Sequence, residues 1–410
     1  MKRQIVAGVA FAGAVLALTL GGTPSGVTVV AQGQGQRTRP MFEVDARFPT
    51  MSDTLVLGGV GGVAADSRGN VWAIHRPHTL EEGNAHENGY KAAPPVVAWD
   101  AMGKYIQGWG GPSPTKQYEW PNRGGLMSKY VECESCSKVR RTNGNGTPGS
   151  GEHGIFVDYK DNVWVTGNGA GDGQVLKFTK DGKFLLQIGH GHRFAPSKPG
   201  GGAPDDLVDS NDTMNLSAAT TVAVDPRSNE VYVADGYGNR RIVVFDADTG
   251  AYKRHWGAYG NKPDDKAPFT RLFSGPPPQQ FNTVHGVTVG PDGTVYVADR
   301  ANNRVQAFTK KGKFLKEGFN RRESQGTGSA FGVVVSPDNR WVYVADGSNE
   351  RVAIMDRATL EVVGAVGRPG RKAGEFFHIH SIAIDPQGNI ITGESQGYRV
   401  QKFLYKGLSN

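Results

Sequence analysis

The chain reads as all-β, a six-bladed β-propeller whose ring is closed by an N-terminal strand. Three observations predict this. One unit recurs six times at propeller-like spacing. Its strands are short, rich in Val, Ile, Tyr and Trp, and bounded by Gly, Asn, Asp and Pro, as strands in tight meanders are. No helical apolar period competes over a comparable length. Four strands make a blade, and blades pack around an axis.

In chain order, residues 1–31 read as a signal peptide. Lys2 and Arg3 form its charged start, Ile5 to Leu20 is apolar, and Val29, Val30 and Ala31 form a cleavage site. An uncleaved anchor is the alternative, but the apolar run is short for a membrane span. No Cys follows that run, so a lipoprotein anchor is not expected. Residues 32–41 form a flexible lead-in, and 42–410 the propeller. The expected location is therefore exported, periplasmic or secreted.

The first repeat covers 58–110, with GGVAADSRGNVWAIHR at 61–76. The next covers 151–189, with HGIFVDYKDNVWVTGN at 153–168. The clearest are 217–257 (VYVADGYGNRRIVVF at 231–245) and 281–317 (VYVADRANNRVQAF at 295–308). Two more cover 328–367 and 374–405. The last copy stops after its third strand, near Phe403. The segment FEVDARF (42–48) has nothing else to pair with, so it should supply the missing strand and hide the exposed edges. Gly/Pro/Asn-rich insertions at 111–150, 190–216 and 258–280 join successive blades. They should lie on the face where first strands begin, as walls, a lid or tolerated loop variation.

The formal net charge is +7, of which Lys2 and Arg3 would leave with the leader. Basic residues are scattered among acidic ones with no interleaved aromatic stripe, so nucleic acid is not implied. Nor are stable membrane insertion or oligomerisation; a monomer is expected. Cys133 and Cys136 are the only cysteines. A lone CxxC is two ligands short of a structural zinc site, and Ser137 stands where haem attachment needs His. A local disulfide is expected in an exported protein, ahead of a redox role.

Counting five residues back from the Asp position that ends each first strand gives one register. It reads Gly61, His153, Thr220, His285, Phe331 and His380. The histidines fall on alternate blades, about 120° apart in a six-fold ring. Neutral imidazole is the commonest metal ligand, and three nitrogens with an open position suit a catalytic zinc. Iron, copper, cobalt and nickel also accept imidazole. For one histidine alone, a loop residue satisfied by hydrogen bonds is the better reading. Three of ten histidines in one register favour the metal.

A second register, the ends of the second strands, reads Arg76, Asn168, Gly236, Arg300, Gly347 and Ser395. It places Arg76, Arg300 and Tyr237 on the histidine face. A guanidinium holds a carboxylate in a fork, and a phenol beside a metal transfers protons. The competing reading is that these residues knit loops together.

With these residues in hand, the chain resembles the peptidyl-α-hydroxyglycine α-amidating lyase family. This is the lyase domain of peptidylglycine α-amidating monooxygenase, built of NHL-repeat propellers. The resemblance is carried by ADGYGNRRIVVF (234–245), VADRANNRVQAF (297–308), IHR (74–76), the three blade-start histidines and the blade count. It implies zinc on His153, His285 and His380, Tyr237 as catalytic base, and Arg76 and Arg300 as active-site arginines. The implied activity is that of a carbon–nitrogen lyase. It splits the N–C bond of a substrate with an α-hydroxyglycine-like end, small molecule or peptide, into an amide and glyoxylate.

Three positions depart from the family. Gly238 replaces a Cys after the Tyr, which removes a disulfide. Ser381 replaces an Asp that binds a structural calcium, which puts calcium in doubt. His378 replaces a Met. Two residues before His380 on a strand, it would share that face, as a fourth ligand, a substrate contact or a rim histidine. A fourth ligand would fill the open position and argue against the lyase mechanism. No monooxygenase domain accompanies the repeats, so a different α-hydroxy amide or hemiaminal is an alternative substrate. The rival function is a non-catalytic NHL propeller that binds protein or ligand. Lactonase-type propellers hold metal largely through carboxylate and amide groups, which the His₃ register disfavours.

Overall fold

Four of the six repeats place an Asp at the end of the first strand, because the turn there needs acceptors. Asp66 Oδ1 accepts from the Arg68 and Asn70 amides. Asp158 does the same for Lys160 and Asn162, and Asp385 for Gln387 and Asn389. The carboxylate replaces ladder hydrogen bonds that the turn gives up. Gly69 and Gly388 take the left-handed conformation that closes two of these turns, with φ of 82° and 84°.

A computed structural model describes residues 38–52, 54–80, 89–121, 151–169, 172–191, 209–268 and 274–409. The expected signal peptide, most of the lead-in, Cys133 and Cys136 lie outside them, as do parts of all three insertions. No helix among the described residues is long and apolar enough to cross a membrane.

Six four-stranded antiparallel sheets follow in chain order. Blade one is Gly59–Ala65, Val71–Arg76, Val96–Trp99 and Tyr105–Trp109; blade two is Glu152–Val157, Asn162–Gly167, Gln174–Thr179 and Phe184–Gly189. Blade three is Ala219–Asp225, Glu230–Asp235, Arg241–Asp246 and Tyr252–Trp256; blade four is Val284–Val289, Val295–Asp299, Arg304–Phe308 and Phe314–Phe319. Blade five is Gly332–Val335, Trp341–Asp346, Arg351–Asp356 and Val362–Val366. Blade six is Ile379–Ile384, Ile390–Glu394 and Arg399–Leu408, with Pro40–Val44 as its outer strand. Val44 pairs with Phe403 and Phe42 with Tyr405. Pairing thus begins at Pro40, inside the stretch read as lead-in, and ends at Val44 rather than Phe48.

The core lies between blades. Six buried apolar clusters each join one neighbouring pair, including blades six and one through Ala383, Ile391, Val63 and Trp99. Both faces of a blade must be apolar to serve two neighbours, which explains the near-continuous Val/Tyr/Ala runs. First strands contact each other around the ring and line a central channel of about 460 Å³.

On the rim where second strands end, blades three to six carry acid–arginine pairs. These are Asp235–Arg241 at 2.9 Å, Asp299–Arg304 at 2.8 Å, Asp346–Arg351 at 2.9 Å and Glu394–Arg399 at 2.7 Å. Each acid immediately precedes Gly236, Arg300, Gly347 or Ser395. The pairs therefore clamp the rim register in place. Asp235 also accepts from the Ser217 amide and Asn239, and Arg241 donates to the carbonyls of Ser210, Asp212 and Asn215.

Asp235→Ala leaves the Arg241 guanidinium buried without its partner. It should lower stability by about 3–5 kcal/mol, read from urea unfolding midpoints. A change below about 1 kcal/mol would mean the pair behaves as a surface pair.

Candidate metal centre

The inner strands do not alternate cleanly where the histidines sit. In blades one, three, four and six the pairing with the second strand skips one residue: Gly61, Thr220, His285 and His380. In blade two the skip takes in His153 and Gly154. These are the positions of the first register. A bulged residue leaves the ladder and its side chain is re-aimed. The three imidazoles consequently converge, with ring centroids 4.8 Å apart in every pair. One ring nitrogen from each lies within 4.8 Å of the others, and all three residues are buried.

The other three register positions explain why the alternation works. His153 Nδ1 lies 2.7 Å from the Thr220 carbonyl, His285 Nδ1 2.6 Å from that of Phe331, and His380 Nδ1 2.8 Å from that of Gly61. A carbonyl only accepts, so each Nδ1 carries the proton and each Nε2 keeps its lone pair. Each blade that lacks a histidine orients the histidine of the blade before it. Gly154 is needed here: a Cβ would come within 2.3 Å of the Thr220 oxygen that receives His153.

Burial holds all three imidazoles well below their ordinary pKa, and charge adds to it. Arg76 and Arg300 act on His153, His153 and Arg300 on His285, and the other two histidines on His380. They are therefore neutral at neutral pH, the ligating form. His153 Nε2 is buried without a hydrogen-bond partner. A neutral, tautomer-fixed His₃ set with an orphaned lone pair fits a divalent transition metal. It does not fit calcium, which needs oxygen ligands. Among the described residues no other group of His, Cys, Asp or Glu forms such a cluster, and the Ser381 hydroxyl has no hydrogen-bond partner.

Tyr237 and Arg300 stand beside the triad. Arg300 Nη1 donates to Tyr237 Oη at 2.9 Å, and Oη lies 3.2 Å from His285 Nε2. Since that Nε2 can only accept, the phenol donates to it. Arg300 Nε is held by the Thr327 carbonyl, and its guanidinium lies over the Phe331 ring at 4.6 Å. Arg76 is buried, with Nε donating to the Glu152 carbonyl at 2.9 Å. It feels Tyr237 electrostatically. The second register thus brings Arg76, Arg300 and Tyr237 to the histidine face.

His378 is not on the strand that carries His380. It precedes Ile379–Ile384 with φ of 59°, so the shared-face argument does not apply to it. Its ring stacks on His380 at 6.2 Å, outside the three-histidine group. Phe331 has a role that its register position alone did not reveal. It packs edge-on against His285 at 5.2 Å and His380 at 5.8 Å, filling the gap between them. Glu350, also missed, accepts from the amides of His378 and Ile379. Only an acid just beyond the Asp346 turn hints at it in sequence.

The NHL repeat family matches residues 281–308. The Xenopus laevis peptidyl-glycine alpha-amidating monooxygenase B is 26% identical over 371 residues, 88% of this chain and 35% of its own length. The Drosophila melanogaster peptidyl-alpha-hydroxyglycine alpha-amidating lyase 1 is 25% identical over 385 residues, 87% of this chain and 59% of its own. This chain carries an NHL repeat and resembles the amidating lyases. It spans about a third of the Xenopus protein's length. A solved Bacteroides thetaiotaomicron structural genomics protein of unknown function aligns over 90% of this chain and 76% of that one. The TM-score is 0.49 and the identity 14%.

Purified protein given zinc should hold about one ion per chain, and His285→Ala should lose it, by elemental analysis. Unchanged content would refute the centre. The metal-free protein should also lose stability in acid. His75, buried between the Gly58 amide and the Pro94 carbonyl, and His378 are each held at about 4, mainly by burial. Below the ordinary 6.5 the unfolded chain binds protons that the folded chain refuses, so stability falls as pH drops from 6.5 towards 4. Above 7 these groups contribute no slope. Thermal melts at stepped pH check this, and His75→Gln should flatten the fall.

Proposed function

We propose that this protein is an exported, zinc-dependent carbon–nitrogen lyase. It cleaves an α-hydroxyglycine-like substrate, small molecule or peptide, to an amide and glyoxylate. The observation that carries the reading is the Tyr237 hydroxyl. It accepts from Arg300 at 2.9 Å and lies 3.2 Å from His285 Nε2, one of the nitrogens that would hold the metal. Relatives named as an amidating monooxygenase and as an amidating lyase support the reading.

Zinc on the three Nε2 atoms would supply a Lewis acid for the substrate's α-hydroxyl. The chain's own groups do the rest. Arg76 and Arg300 offer positive charge for the substrate carboxylate. As the phenolate, Tyr237 Oη would take the α-hydroxyl proton and could pass it to the departing amide nitrogen. As that proton leaves, the C=O bond of glyoxylate forms, the Cα–N bond breaks, and the amide nitrogen takes a proton. Nothing is oxidised or reduced, so a redox-inert ion suffices.

Tyr237→Phe should retain zinc and lower kcat for α-hydroxyhippurate by about 10²–10⁴-fold, read as glyoxylate release. Full activity would remove Tyr237 from the mechanism. Zinc-loaded wild type that releases no glyoxylate, yet captures a partner without metal, would favour the binding propeller.

A further inference from the structure

His378 is built into the rim in a way that neither metal binding nor packing uses up. Its backbone sits in the left-handed region, φ 59°, uncommon for a residue with a side chain. Glu350 holds it there, its two carboxylate oxygens accepting from the His378 and Ile379 amides at 2.8 and 3.1 Å. The Ser395 amide donates to the His378 carbonyl at 3.1 Å. The ring is fixed as well. Nδ1 lies 2.7 Å from Ser395 Oγ, Phe331 packs edge-on at 5.4 Å, and His380 stacks at 6.2 Å. Among the described residues Nε2 has no hydrogen-bond partner. The residue is half-buried, and Nε2 is not among the buried atoms that lack a partner. Arg300 and Arg76 both act on this ring electrostatically.

We infer that His378 is a substrate-positioning residue whose Nε2–H donates to the acyl carbonyl of the α-hydroxyglycine amide. The inference rests on the lyase reading and deepens it. A hydroxyglycine amide offers three polar handles. Two have partners: the arginines suit the carboxylate, and the His₃ centre with Tyr237 suits the hydroxyl. The acyl oxygen needs a neutral donor, because leaving it bare on desolvation weakens binding. Ser395 Oγ can donate to Nδ1, and in that tautomer the proton sits on Nε2 and His378 is that donor.

The test uses zinc-loaded wild type, His378→Phe and His378→Gln, with two unreactive probes in calorimetry. Hippurate keeps the acyl carbonyl and carboxylate but lacks the hydroxyl; N-benzylglycine lacks the carbonyl. His378→Phe should weaken hippurate about tenfold, leave N-benzylglycine unchanged and keep the zinc. His378→Gln, which restores a donor, should recover most of the loss. With α-hydroxyhippurate, KM should rise in His378→Phe while kcat holds. Equal hippurate binding by wild type and His378→Phe overturns the inference, as does loss of zinc, which would make His378 a ligand. No hippurate binding by wild type also overturns it. Turnover without a His378 effect leaves the lyase reading standing; a His378 effect without turnover does the reverse.

Discussion

Most of the centre depends on one constraint: five of the six inner strands give up ladder pairing near the rim. The bulge frees a side chain to face the axis and leaves its carbonyl pointing sideways. In a six-fold ring these two consequences alternate. Blades two, four and six use the side chain, a histidine. Blades one, three and five use the carbonyl, which fixes the histidine of the preceding blade. No carboxylate is needed to orient the imidazoles, so the cluster remains neutral and buried. A cation entering it meets three lone pairs and two nearby guanidiniums. Such a site suits a metal that will itself hold an anionic or ionising group.

The rim follows from the same geometry. Second strands end one layer above the bulges, and the acid–arginine pairs in blades three to six hold those ends rigid. Arg300 and Ser395 are each the residue after such an acid. Tyr237 follows one position later, after Gly236, where a Cβ would fall within 1.9 Å of the Val284 carbonyl. Their positions are therefore set by buried electrostatics and close backbone contact, not by loop chance. Rigid support of this kind is what positions catalytic groups to a fraction of an ångström.

The site is also asymmetric, although the ring is nearly symmetric. Between His285 and His380 the gap is filled by Phe331, while between His380 and His153 stands Gly61. Arg300, Phe331 and His378 crowd the filled side, and Arg76 stands opposite. The central channel is walled by Val63, Ile155, Val222, Val287, Val333 and Ile382, with Asp66, Asp225, Arg227 and Asp385 also in its lining.

The sequence by itself determined the six repeats, the alternate placement of His153, His285 and His380, and the rim positions of Arg76, Tyr237 and Arg300. These are legible because they are periodic: any residue at a fixed offset in a ring of repeats shares a height and a face with its equivalents. Only the tertiary structure decided what is not periodic. The bulges that aim the imidazoles leave no mark in local composition. The carbonyls that set their tautomers belong to residues as unlike as Gly61, Thr220 and Phe331, because the backbone, not the side chain, is used. His378 looked like a strand neighbour of His380 until its left-handed backbone, held by Glu350 from another blade, took it off the strand. Spacing in sequence fixes direction only while the ladder is regular, and functional geometry here lies where the ladder breaks.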